Sequence, residues 1–186
     1  MKKLIFLISI MCVAFYSCDG RKSKSVSLKE SIQEFNQKLS ESPIIDYYPK
    51  EYTEIVTDTI ISNKVKVRIK NFSLPYESIS MSNSEKSNIK IQKHHRVFES
   101  EVIVSTQNKE ILSTHISVEK FRELYPDDFW TNVTLQHVWV NQELSSPEMI
   151  NLDMSFINPK SKAFKVYRMT IDGKGQQQIQ LIEERA

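Results

Sequence analysis

The chain has 186 residues, 25 of them basic and 23 acidic, with only two cysteines and three glycines. The surplus of positive charge lies in residues 1–17, which carry Lys2 and Lys3 and no acid, so the rest of the chain is balanced. A balanced body excludes nucleic acid as an expected partner, because phosphate binding needs a basic surplus. The length suits a single domain able to bury a core without staples.

After Lys2 and Lys3, positions 4–16 read LIFLISIMCVAFY, interrupted only by Ser9. That run is too short to span a bilayer and has the length of a secretory apolar segment, about 7–15 residues. It ends in Phe15-Tyr16-Ser17-Cys18, followed by Asp19-Gly20 and a stretch of Lys and Ser. A small residue directly before a cysteine, at the end of such a segment, resembles the lipobox of bacterial lipoproteins. Phe15 stands where that family usually has leucine. The resemblance implies a signal peptide over residues 1–17, a diacylglycerol thioether on Cys18 and acylation of the new amino terminus. It covers about the first twenty-five residues and implies a compartment, the cell envelope, rather than an activity. Each buried methylene contributes about 0.8 kcal/mol, so two or three acyl chains hold where one is marginal. With Cys12 removed and Cys18 a thioether, no thiol remains for a disulfide or a metal.

Residues 18–26 read as the lipidated tether. Asp19 is outnumbered there by Arg21, Lys22 and Lys24. In lineages that export lipoproteins to the cell surface an acidic run is typical at this point, so the resemblance favours the periplasmic side; an outer-membrane anchor with the body facing the periplasm is expected, with the inner membrane and the cell surface as alternatives. Ser27 and Glu30 form a capping box ahead of Leu28, Ile32, Phe35 and Leu39 at helical spacing. This predicts a helix within residues 27–43, stopped before Pro43 and laid against a sheet.

From Tyr52 onward the period is two. Val65, Val67 and Ile69 alternate with Lys64, Lys66, Arg68 and Lys70, the pattern of a strand with one wet face. Further strands are expected at 53–61, from Ile89, at 97–106, 111–117, 133–142, 150–156, 163–172 and 176–183, with a polar loop over 80–88. Gly173 and Gly175 mark a tight connection where positive φ is expected. A second, short helix is expected at 118–125, capped by Ser117 and ended by Pro126. The chain holds 21 Ile and 13 Val against three Ala, which favours sheets over a helical bundle. The predicted class is mainly β: an antiparallel sandwich or open barrel of about eight or nine strands, with one N-terminal and one internal helix, in a single domain over 44–186.

Chemistry-bearing patterns are few. His94-His95 on a strand point to opposite faces and cannot chelate one ion together, while His115 and His137 lie far away in sequence, so no metal or other cofactor is expected. No Gly-x-Ser-x-Gly elbow or glycine-rich phosphate cradle occurs. The acid pairs Glu119/Glu123 and Asp127/Asp128 read as solvated charge. Aromatic residues are the better lead. Trp130 closes the second helix region, and His137 and Trp139 share a strand face with Leu135 and Asn141, an arrangement that suits a sugar ring or apolar edge if exposed and a core if buried. Asp58-Thr59-Ile60 resembles the acceptor of an envelope O-glycosylation system, which marks Thr59. The expected function is a non-enzymatic, membrane-anchored binding or adaptor module for an envelope protein or glycan. A barrel carrying a small apolar ligand and an envelope hydrolase are the rivals.

Overall fold

The computed structural model describes residues 23–41, 43–86, 89–107 and 109–185. Cys18 and the expected signal peptide over residues 1–17 lie outside the described residues. The chain divides after Pro43 into two units.

The first unit contains helix α1, Lys24–Glu41. It begins three residues ahead of the Ser27 capping box, so the last part of the expected tether is helical. Ser23 supplies the cap: its hydroxyl accepts from the Val26 amide at 3.4 Å and its carbonyl from the Ser27 amide at 3.0 Å. The stripe of Leu28, Ile32 and Phe35 is exposed.

The second unit is mainly β, with nine strands in two sheets and no closed barrel among the described residues. The first sheet contains β1 (Ile44–Tyr48), β2 (Glu54–Ile61), β3 (Val65–Lys86), β4 (Ile89–Thr106) and β5 (Lys109–Ile116). Its order is β1-β4-β3-β2, with β5 also on β4. Helix α2 (Val118–Leu124) follows, with Ser117 as its cap, and then a single 3-10 turn at Asp128–Trp130. The second sheet is a meander of β6 (Thr134–Val140), β7 (Met149–Ile157), β8 (Phe164–Asp172) and β9 (Gln177–Arg185).

Three expectations are corrected. The polar stretch expected as a loop is strand as far as Lys86: β3 pairs Ser80 with His94 and Ser82 with Lys93, because backbone ladders form in polar strands once a partner holds them. The strand expected from Ile89 and the one at 97–106 are likewise one strand, β4. The sheet is also not wholly antiparallel, since β1 runs parallel to β4 with Tyr47 opposite His94 and Tyr48 opposite His95.

Both sheets feed one core. Val65, Val67, Ile69, Val102 and Val104 from the first meet Leu135, Val138, Ile150, Leu152, Met154 and Phe156 from the second. Phe121 of α2 stands 4.6 Å from Phe156 and 5.2 Å from Tyr167, ring centre to ring centre. Trp130 completes this aromatic group and donates its indole N–H to the Tyr125 carbonyl at 2.7 Å, so the ring is buried with its polar atom satisfied. Of the two glycines in the β8–β9 turn only Gly175 has positive φ, 82°, and a side chain there would collide with the Ile111 carbonyl.

Leu152 and Phe156 are fully buried. Leu152→Ala should cost about 2–5 kcal/mol in urea unfolding, from lost burial plus the cavity. Leu152→Asp or Phe156→Asp should abolish cooperative folding, because an unpaired buried charge is worse than a void. Unchanged melting of these variants would misplace the inner face.

Candidate functional site

A concavity of about 760 Å³ opens along one edge of β4. That edge is shared: β5 pairs with Ser100–Thr106 and β1 with residues 91–95, so among the described residues no strand pairs with the four between them on this edge. A buried backbone amide still needs an acceptor. The Phe98 amide finds it in the Thr134 hydroxyl of β6, at 2.8 Å. The cleft lies at this interruption, between Asp46 and Tyr48 of β1, Met81 of β3 and Lys93, His95 and Phe98 of β4 on one side, and Leu135, Gln136, Ile157 and Lys162 on the other.

Arg96 fixes the same region. Its guanidinium donates to the carbonyls of Pro49 (3.0 Å), Lys50 (3.0 Å) and Pro75 (2.7 Å), and lies 4.6 Å over the Tyr47 ring. It thereby ties the β1–β2 connection to the point where Leu74, Pro75, Tyr76 and Glu77 bulge from β3 between the register pairs Ser73–Phe98 and Ser78–Arg96.

The two histidines are held differently. His95 Nδ1 lies 2.8 Å from the Arg96 carbonyl, which can only accept, so Nδ1 carries the proton and Nε2 is left for a ligand. Its ring packs between Tyr48 (5.7 Å) and Phe98 (6.2 Å). His94 Nδ1 is 3.0 Å from the Ser78 hydroxyl and its ring is tilted on Tyr47 at 5.7 Å. A hydroxyl–imidazole pair is the start of a nucleophilic arrangement, but among the described residues no carboxylate hydrogen-bonds to His94 to orient it. No group of three or more His, Cys, Asp or Glu that could hold a metal ion occurs among the described residues.

Of the residues marked from the sequence, His137 and Trp139 come together. Their rings stack at 5.8 Å with 14° between planes, His137 exposed and Trp139 half-buried. Leu135 does not share their face. The register jumps between Leu135 and His137, leaving Gln136 as an extra residue, so Leu135 turns to the core while the two rings turn outward. Trp130 belongs to the core group described above and makes no ring contact with Trp139 among the described residues. Thr59 lies on β2, opposite Val67, partly exposed.

The sheet face beside Trp139 is a polar network. Asp153, opposite Trp139, accepts from Arg168 Nε at 2.7 Å and Nη2 at 2.9 Å, and from the Asn141 amide at 2.9 Å. Asn151 accepts from Thr170 and donates to the Leu144 carbonyl, and Ser155 donates to Gln136. These groups satisfy one another, which is why β7 is buried on both faces.

Sequence reading missed the cleft. Its signal was present as two adjacent doublets, Tyr47-Tyr48 and His94-His95, but only the parallel register of β1 on β4 sets them side by side. No protein-family model matches the chain, and no curated protein is similar to it.

Burial pushes the Asp153 carboxyl up, but the hydrogen bonds from Arg168 and Asn141 and the Arg168 charge outweigh it and hold the group below the ordinary carboxylate range. Its contribution to stability is therefore complete above the unfolded value of about 3.9 and is lost as pH falls from there through the lower folded value. Asp153→Asn should be less stable at neutral pH and show a flatter loss of stability below about pH 4. Parallel pH–stability curves for the two proteins would contradict this assignment.

Proposed function

We propose that this chain is a lipid-anchored protein of the cell envelope that acts as a non-enzymatic binding or adaptor module, with the cleft beside β4 as its ligand site. The leader ending in Ser17-Cys18 supports the anchor. The observation that carries the binding role is the cleft: an apolar floor of Met81, Phe98, Leu135 and Ile157 beside Lys93, Lys162, Asp46 and His95. Binding sites combine these features, an apolar majority with a few placed polar groups. Placement is the mechanism. The acyl chains on Cys18 concentrate the body at one membrane, favoured as the outer membrane on its periplasmic side, where the cleft meets its ligand. An enclosed carrier is less well supported, because the concavity is bounded by two open sheets. The His137–Trp139 stack supports a second ligand surface, a platform for a sugar ring, although the polar groups next to it are already engaged with one another.

Cys18→Ala should leave the leader uncut or release the protein from membranes, read by fractionation and mass spectrometry of the amino terminus. Processed Cys18→Ala protein that still needs detergent would exclude the lipobox. For the cleft, anilinonaphthalene sulfonate should bind the full chain. Its affinity should fall about fivefold or more in Tyr48→Ala and in Lys162→Glu, two exposed positions whose change leaves the core intact. Unaltered titrations in both would remove the cleft as the site.

A further inference from the structure

The strands at the margins of both sheets differ in how they are protected against pairing with another chain. Unprotected margins template new strands, and folded proteins blunt them with short length, lysine, proline or a bulge. β1 has five residues and runs into Pro49. β5 carries Lys109, Glu110 and His115 and a register break. β6 is bulged at Gln136, and β9 has a register break and ends in Glu183-Glu184-Arg185. Apart from the acidic Glu54 and Asp58, β2 has none of these devices. Its eight residues, EIVTDTII, pair with β3 without a break and contain no lysine, arginine or proline, and six of them are β-branched. Ile55, Val56 and Ile60 are exposed along it at 55%, 42% and 63%. Among the described residues no strand pairs with its free side.

The strand also matches its own reverse. Around Asp58 the sequence reads outward as Thr57/Thr59, Val56/Ile60 and Ile55/Ile61. We infer that β2 is a self-recognition edge, on which a second copy of this chain adds its own β2 antiparallel about a two-fold axis through Asp58. Directly opposed residues in an antiparallel pair point to the same face. In this register Val56 meets Ile60 of the other copy on the outer face, and Thr57 meets Thr59. Exposed Ile55 meets Ile61, which is part of the core cluster, so each core gains a flank. The two Asp58 carboxylates come opposite each other, and the charges already in place meet that cost. Each Asp58 lies 3.3 Å from Lys66 and 4.0 Å from Arg68 on β3, so the row across both copies reads Arg68-Asp58-Asp58-Arg68. A two-fold arrangement needs a patch complementary to itself, which this sequence supplies and an unrelated strand donor would not require. The inference stands apart from the lipid anchor and from the cleft.

The experiment uses the full chain in mild detergent at micromolar concentration. Light scattering with detergent subtraction should give a dimer, and Ile60→Lys, which adds the missing edge lysine, should weaken it about tenfold or more while the melting curve of the fold is retained. Asp58→Cys under mild oxidation should cross-link to itself. Thr57→Cys alone should do so poorly, and Thr57→Cys mixed with Thr59→Cys should do so well, with the unsubstituted chain as the control for Cys12 and Cys18. A monomeric unsubstituted chain overturns the inference. So does a dimer untouched by Ile60→Lys, strongest cross-linking at Thr57 alone, or Asp58→Cys cross-linking in whole envelopes only to another protein.

Discussion

One strand with too much edge to cover organises the second unit. β4 is long enough to pair with β3 along nearly its whole length, with β5 near its end and with β1 near its start. Neither short partner reaches the middle of that edge, and the backbone there must be satisfied in some other way. Thr134 takes the Phe98 amide, and Arg96 gathers two carbonyls of the β1–β2 connection, one from the β3 bulge and the Tyr47 ring beside it. The concavity is what remains when an edge is satisfied by side chains instead of by a strand. Core, sheet junction and candidate ligand site therefore meet within a few residues of one another.

The two faces of the second sheet stabilise the fold by different means. Its inner face is apolar, Ile150, Leu152, Met154 and Phe156 in unbroken alternation, and is closed by the rings of Phe121, Trp130 and Tyr167. Its outer face buries Asn151, Asp153 and Ser155, which is tolerable only because each finds partners on the flanking strands. The first sheet is less complete: the side chains of Asn71 and Ser100, opposite each other on β3 and β4, are buried without a hydrogen bond.

Much of the strand layout was legible in residues 44–186. The β-branched excess, the alternation in β3 and β7, the Ser117 cap and the turn at Gly175 all place elements where the structure has them, since each depends on local preference or on a single buried face. The errors have a common origin. Residues 80–88 are polar and look like a loop, yet β3 continues through Lys86 because β4 lies alongside. His137 and Trp139 were placed on one face with Leu135, and one extra residue in β6 turned Leu135 the other way. The Tyr47-Tyr48 and His94-His95 doublets carried no recognisable chemistry while they stood 47 residues apart.

By its sequence alone this protein was determined to be a β protein whose first seventeen residues are charged, then apolar, because composition and period are properties of contiguous residues. Only the tertiary structure decided that it is two open sheets over one core, that Trp130 lies inside and Trp139 stacks outside, and that the cleft lies at the gap between β1 and β5. The physical reason is that these outcomes depend on strand register and strand order. A shift of one residue exchanges the faces, and a neighbour chosen from far along the chain supplies the partner that local preference cannot specify.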